Sequence, residues 1–500
     1  MHTRTLQKIP TNWEKREQLR KKGQFFTPEW IAEAMIEYVV ENAQLIFDPA
    51  TGDGAFYSAL KKLYREKQIQ FYGLDIDEQV LNTPIYHDNG CTIEVRDFLL
   101  NPPPKTFPAI IANPPYIRHH RLSETTKIKL KETSRRILGF TLDGRTGLHI
   151  YFLIQALHLL QPQGKLAFIL PADTCEGIFA KGLWEWITTH FRLECVVTFV
   201  PEAAPFPEID TNAIIFFIKN APPQDTIYWV KTQQSSPTAL KEFMHSDFCL
   251  VDRSCLDVIT RDVKEALKTG LSRPPGKQTS QYKLSDFAKV MRGIATGAND
   301  FFYLTRKQAQ ELGIPDEFLK PAIGRTRDVD GDCLTQEMLD NLDQKGRPTL
   351  LFSPDNRALH DFPNSVKTYL LYGEQLELPK RPLIKTRNPW YKMENRVIPP
   401  FLFAYLGRRN VRFIRNKAHV LPLSCFLCVF PLSDDEYFIQ SLWDILNHPE
   451  TINNLSLVGK SYGAGAIKVE PRALENLPIP EDLVKSKKLF ALHIEQLSLL

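Results

Sequence analysis

Three aspartates and one asparagine, each standing directly after a short apolar run, are the residues of this 500-residue chain whose type and spacing could do chemistry. Leu45-Ile46-Phe47 leads into Asp48, Gln70-Phe71-Tyr72-Gly73-Leu74 into Asp75, Ile93-Glu94-Val95-Arg96 into Asp97, and Ala109-Ile110-Ile111-Ala112 into Asn113. The segment from Asp48 to Phe56 carries Gly52 and Gly54, and glycine lets a backbone turn tightly and approach a ligand that a side chain would exclude. A carboxylate at Asp75 can accept hydrogen bonds from both hydroxyls of a ribose. Asp97 beside Phe98 pairs an acceptor with an aromatic face, which suits an adenine amino group and its ring. Each acid could instead cap a helix, and dinucleotide-binding folds use a similar glycine-rich turn. One acid would be a cap; three in series at strand ends favour a nucleoside ligand.

The elements that must position these residues alternate short apolar strands with helical patterns, the signature of an α/β fold with a mostly parallel sheet. In such sheets ligands bind at the carboxyl ends of the strands, where all four polar residues fall. A helical stretch from Leu148 to Leu160 is stopped by Pro162 and Gly164, and further strands are predicted at Lys165 to Leu170, Leu193 to Phe199 and Asn212 to Ile218. The length exceeds one typical core. Pro222-Pro223 and Arg273-Pro274-Pro275-Gly276 suggest a joint, so the expected organisation is a first domain over 1–220, a linker over 221–280 and a second domain over 281–500.

With 43% hydrophobic and 24% charged residues the chain is ordinary for a folded globular protein, which excludes a disordered one. Eight scattered cysteines lack a disulfide framework and point to a reducing cytoplasm, and no apolar run approaches the roughly eighteen residues needed to cross a bilayer. Cys425 and Cys428 have the spacing of half a zinc site, but strand alternation over Val420 to Pro431 would set their thiols on opposite faces, so no metal is expected. The net charge of +4 is unevenly spread. Residues 1–22 hold seven Lys or Arg against two Glu, and residues 381–417 hold ten against Glu394 alone, densities able to neutralise phosphates.

In this order of motifs the chain resembles the class I S-adenosylmethionine-dependent methyltransferases, whose sheet is a doubly wound, mostly parallel, seven-stranded Rossmann-like one. Asn113-Pro114-Pro115-Tyr116, lying 65, 38 and 16 residues after the three acids, narrows the resemblance to the adenine-N6 DNA methyltransferases of the gamma arrangement. It covers roughly the first 220 residues in order and the second half more weakly. The resemblance implies that Gln24-Phe25-Phe26-Thr27-Pro28 brings Thr27 beside the methionine moiety of S-adenosylmethionine. It also implies that the loop with Asp48, Ala50, Gly52, Gly54 and Phe56 holds that moiety, that Asp75 and Ile76 meet the ribose end, and that Asp97, Phe98 and Asn113 complete the cofactor site.

Adenine's amino nitrogen is a poor nucleophile because its lone pair is delocalised into the ring. The Asn113 side-chain oxygen and the Pro114 carbonyl, aligned with the two N–H bonds, would release that lone pair toward an activated methyl group. Proline holds its carbonyl rigidly because its φ is fixed, and neither a metal nor a covalent nucleophile is needed. Tyr116 is expected to stack on a base flipped out of the duplex, with Phe206 as the family's second aromatic wall.

The resemblance assigns the second half to a mixed α/β target-recognition domain that binds double-stranded DNA, opening at Arg292-Gly293-Ile294-Ala295-Thr296-Gly297. Arg292, Arg387, Asn388, Trp390, Arg408 and Arg409 are its candidate DNA contacts, with Arg118 and Arg121 near the flipped base. A separately encoded restriction endonuclease is a compatible partner. Two rivals keep the same tetrapeptide on another substrate, an RNA base or a protein glutamine. A combined restriction and modification enzyme is disfavoured because the motifs begin by Gln24. From a different class, the chain could be a DNA-recognition module that retains the cofactor fold without catalysis.

Overall fold

The computed structural model describes residues 25–175, 179–206, 212–274, 280–407, 411–462 and 466–489. The chain divides into two units, the first running to Gly276 and the second beginning at Lys277. In the first unit, helix α1 (Glu29–Val40) precedes strand β1 (Leu45–Asp48), helix α2 (Ala55–Leu63) and strands β2 (Gln70–Asp75), β3 (Cys91–Val95) and β4 (Phe107–Ala112). Helices α3 (Glu124–Leu138) and α4 (Leu148–His158), strand β5 (Leu160–Pro171), helix α5 (Ala180–His190) and strands β6 (Arg192–Phe199) and β7 (Ala213–Lys219) follow. The expected strands all form, in the spatial order β3-β2-β1-β4-β5-β7-β6, with β1 to β5 parallel and β7 antiparallel to both its neighbours.

Strand periodicity decides the layering. Phe47, Tyr72, Leu74, Ile110, Phe168 and Phe216 point into one core with α4 and α5, whereas Ile46, Phe71, Ile111, Ile169 and Phe217 point into a second core with α1 and α2. The sheet is thus covered on both faces, as a doubly wound fold requires. Helix α3 starts where the Ser123 hydroxyl accepts from the Thr126 N–H at 3.1 Å and ends at Gly139 in the left-handed region.

The described residues 221–274 are not the linker that their proline-rich flanks suggested. They add strands β8 (Thr226–Thr232) and β9 (Leu256–Asp262) to make a nine-stranded sheet, with helices α6 (Ala239–His245) and α7 (Val263–Thr269) packed beside them. Arg261 of β9 locks this corner. Its guanidinium is 2% exposed and donates to Glu265 Oε2 at 2.8 and 2.9 Å, to Thr269 Oγ1 at 2.7 Å and to the Arg273 carbonyl at 2.6 Å. A linker would not bury an arginine.

The second unit is mixed α/β. A five-stranded sheet has the order Ala288–Arg292, Phe426–Pro431, Phe401–Ala404, Arg412–Asn416, Cys333–Leu334, and a four-stranded one is built from Tyr303–Leu304, Leu350–Phe352, Leu319–Ile323 and Leu421–Pro422. An aromatic core of Phe301, Phe302, Phe352, Tyr369 and Trp390 packs on the smaller sheet. No described helix in either unit is long and apolar enough to cross a membrane.

Removing the buried Arg261 guanidinium leaves the Thr269 hydroxyl and the Arg273 carbonyl without their donor, at about 1–3 kcal/mol, while Glu265 is exposed enough to be solvated. Arg261→Met in the full chain is therefore expected to lower the melting transition of the first unit by several degrees. Calorimetry resolving the two units' transitions checks it, and an unchanged profile would return 221–280 to the status of a linker.

Candidate active site

The carboxyl ends of β1 to β4 open onto a cavity of about 830 Å³. Its floor is the backbone loop Pro49 to Asp53, and its walls come from Asp75 to Gln79, Arg96 to Leu100, Phe25 to Thr27 and the start of the tetrapeptide. Thr126 and Leu130 of α3 and Leu148 and Phe152 of α4 close the remaining side. Of the expected cofactor residues, Thr27, Ala50, Gly52, Phe56, Asp75, Ile76, Asp97, Phe98 and Asn113 line this cavity. The spacing of the motifs did not identify Arg96, Gln79, Thr126 or Leu130, because α3 carries no sequence signal beyond its Ser123 cap.

Asp48 and Gly54 stand behind the wall. Asp48 is 1% exposed, and its Oδ1 accepts from the Ala50 N–H at 3.0 Å. Burial pushes its carboxyl well above the usual range, so this acid braces the loop from beneath. Gly54 caps α2 at φ 80°, a left-handed conformation, and a Cβ there would meet Ile85 at 2.8 Å. Tyr86 completes the support, its hydroxyl donating to the Thr51 carbonyl at 3.0 Å.

The other two acids combine the capping and ligand-facing readings. Asp75 accepts from the Gly52 N–H at 3.0 Å and the Asp77 N–H at 2.9 Å, while Asp97 Oδ1 accepts from the N–H groups of Leu99 and Leu100, each at 2.9 Å. Each carboxylate has lone pairs beyond those used in these bonds, and both residues line the cavity. Ile76, 72% exposed, offers an apolar surface at the rim. The cavity lining carries Asp53, Asp75, Asp77, Glu78 and Asp97 against Arg96 alone. Such a wall attracts a cationic ligand and repels a pyrophosphate.

At the fourth strand end, the Asn113 amide donates from Nδ2 to the Phe25 carbonyl at 2.7 Å and to Thr27 Oγ1 at 3.1 Å. A carbonyl can only accept, so the amide orientation follows from chemistry and Oδ1 remains as an acceptor. Pro115 lines the cavity, whereas Pro114 is buried below it. Tyr116 turns away from the cavity and donates its hydroxyl to the Ile169 carbonyl of β5 at 3.1 Å. Burial raises that phenol's pKa well above the ordinary value, keeping it protonated. Phe206, 6% exposed, lies 6.5 Å from the Tyr116 ring, and the Phe25 ring packs against both at 5.2 and 5.8 Å.

Arg118 and Arg121 are exposed beyond Tyr116. In the second unit the candidate DNA contacts divide by environment. Arg387 is half-buried, donating to the Ala295 carbonyl at 2.6 Å with its guanidinium 5.7 Å from the Phe302 ring, and burial lowers its pKa. Trp390 donates to Glu374 at 3.3 Å and packs into the aromatic core, so both residues hold the fold of this unit. Arg292 pairs with Glu470, and Asn388 is exposed. Arg408, Arg409 and the basic stretch 1–22 lie outside the described residues. Cys425 donates to the Gly324 carbonyl at 2.6 Å and Cys428 is buried in the strand that follows; among the described residues no cluster of metal-ligating side chains occurs.

Comparison with known proteins finds relatives for both parts of the chain. Residues 14–248 match the family model described as N-6 DNA Methylase, and residues 275–498 match the model described as Type II methyltransferase M.Eco57I, C-terminal domain. The Type II methyltransferase M.AccI of Acinetobacter calcoaceticus is 28% identical over 483 residues, covering 92% of this chain and 85% of that protein. M.XamI of Xanthomonas campestris pv. amaranthicola is 22% identical over 478 residues, again covering 92% and 85%. Among solved structures, the Type IIL restriction-modification enzyme MmeI, in complex with DNA, shares the fold with a TM-score of 0.55 at 12% identity. That likeness covers 93% of this chain, which spans 65% of the enzyme's length. The two family models lie on either side of the observed division of the chain: residues 14–248 group with the N-6 DNA methylases and residues 275–498 with the C-terminal domain of Type II methyltransferases.

Proposed function

We propose that this chain transfers the methyl group of S-adenosylmethionine to the exocyclic amino nitrogen of an adenine flipped out of duplex DNA, as the modification enzyme of a restriction-modification system. The observation that carries the reading is the anchored amide of Asn113. With Nδ2 committed to Phe25 and Thr27, its oxygen stands as a pre-oriented acceptor at the mouth of a carboxylate-lined cavity. Bound there, S-adenosylmethionine supplies a methyl group activated by a positive sulfur, which needs no metal.

The residues of this chain supply everything else. The cavity's acidic wall favours a cationic nucleoside over a dinucleotide, Asp75 and Asp97 offer acceptors to ribose hydroxyls and an adenine amino group, and Phe56, Phe98 and Ile76 give apolar contact. Asn113 Oδ1 and the Pro114 carbonyl accept the two N–H bonds of the target amine and turn its lone pair outward. Tyr116, held by β5, offers its ring to the target base with Phe206 beyond it, and a base stacking there replaces a contact now made by Phe25. The second unit, matched over 275–498 by the C-terminal domain of a Type II methyltransferase, supports DNA over an RNA base or a protein glutamine. A separately encoded endonuclease is the partner that its Type II relatives suggest. The deciding experiment offers duplex DNA, RNA and protein to the purified chain with labelled cofactor, alongside methyl-sensitive sequencing of DNA from expressing cells.

A matched pair of variants separates binding from chemistry. Asn113→Ala is expected to keep S-adenosylmethionine binding in calorimetry while losing about 10²–10³-fold in methyl transfer, the scale of one pre-oriented polar group at a reacting atom. Asp75→Asn should instead weaken cofactor affinity by about tenfold or more, as loss of a charged acceptor does. Unimpaired transfer by Asn113→Ala would remove that residue from the reaction.

Neutralising Arg118 and Arg121 together is expected to reduce the slope of log affinity for DNA against log salt by about 2 if both contact phosphates. A titration from low to high salt reads this directly, and an unchanged slope would direct attention to the basic stretches of the second unit.

A further inference from the structure

His149, the second residue of α4, is a buried titratable side chain with no part in the reaction as derived above. It is 7% exposed, and neither Nδ1 nor Nε2 has a hydrogen-bond partner in the protein. Its ring lies 5.9 Å from the Tyr116 ring, inclined at 70°. The placement is built in. The Leu148 N–H donates to the Ile117 carbonyl at 2.9 Å, tying the start of α4 to the residue after the tetrapeptide. The ring then occupies the space over Gly147, where a Cβ would come within 2.5 Å of Cε1 and 2.9 Å of Nδ1.

A neutral imidazole carries one donor and one acceptor, and burying both unpaired is unfavourable. Burial lowers the pKa of His149 and so holds it in that neutral form. Leu148 lines the cofactor cavity while His149, the next residue, lies on the Tyr116 side of the tetrapeptide loop. The unpartnered imidazole thus stands in contact with the ring on which the target base is proposed to stack.

We propose that His149 is a base-binding residue, whose ring N–H donates to a ring nitrogen of the purine that stacks on Tyr116. The proposal rests on the reading of this chain as a base-flipping methyltransferase. With both amino hydrogens taken by Asn113 and Pro114, the polar atoms left on an adenine ring are its nitrogens N1, N3 and N7, which can only accept. A neutral imidazole is the complementary donor, and it neither needs nor carries a charge to serve.

The test begins with the parent protein and its methylated site, located by sequencing; absence of transfer to any DNA fails the underlying reading before a His149 variant is made. His149→Phe keeps a planar ring against Tyr116 and removes both nitrogens. Its melting temperature is expected to equal or exceed that of the parent, and its cofactor affinity to be unchanged. Its single-turnover methyl transfer should fall about 10–100-fold, the range for one buried hydrogen bond. His149→Gln should recover part of the rate, and Gly147→Ala, which pushes the ring aside, should lose activity in the same direction. Duplexes carrying deaza-adenines that lack N1, N3 or N7 identify the contact: the parent slows on one of them, and the His149→Phe protein treats that analogue like adenine. A His149→Phe protein that transfers at the parent rate overturns the proposal. So does one that loses stability and rate together, or one that slows equally on every analogue.

Discussion

The parallel pairing of β1 with β2 and β4 is the constraint on which the rest of the first unit depends. Asp48 sits opposite Gly73 and Phe47 opposite Ile110, so the polar residues that end these strands are delivered to one edge. The loop after β1 is then fastened to that edge. The Thr51 N–H donates to the Leu74 carbonyl at 2.9 Å, the Tyr86 hydroxyl reaches up to the Thr51 carbonyl, and the buried Asp48 takes the Ala50 N–H. The floor of the cavity is therefore backbone held from three directions. Its carboxylates are presented by a surface that has little freedom to reorganise, which is the condition for electrostatics to be effective at a site.

Much of this edge was legible in the sequence because a polar residue directly after an apolar run has only one place to go in a parallel sheet. The depth of each residue was not legible. Asp48, Asp75 and Asp97 look alike along the chain, yet the first props the loop from behind while the other two line the cavity, a difference set by register: Asp48 pairs with Gly73, two residues short of Asp75, and Asp75 pairs with Val95, two short of Asp97. Residues 226–262 misled for another reason. Strand β9 is half-exposed along much of its length and lies between the proline pairs 222–223 and 274–275, so its pattern resembles a polar joint; what commits it to the sheet is pairing with β8 and the burial of Arg261. His149 carried no signal at all, since a single histidine at the start of an apolar helix reads as a core residue.

In the second unit, charge along the sequence translates poorly into charge available at the surface. Arg381, Arg387 and Arg412 direct guanidinium donors at the carbonyls of Gly297, Ala295 and Gly331, and Arg396 pairs with Glu394. A guanidinium has five N–H groups in a fixed fork, which makes it effective at tying down irregular backbone as well as at meeting phosphate. Part of the basic density of residues 381–417 thus holds backbone in place, which side-chain placement reveals and the sequence does not. Arginine clusters in loop-rich domains are better judged by their carbonyl partners than by their count.

The tetrapeptide is pinned at both ends by elements that are distant in sequence: Asn113 by residues 25 and 27, and Tyr116 by Ile169. Its geometry is consequently shared property. For anyone altering the chain, residues 25–27 are therefore as sensitive as the tetrapeptide itself, since the Asn113 amide takes its orientation from them.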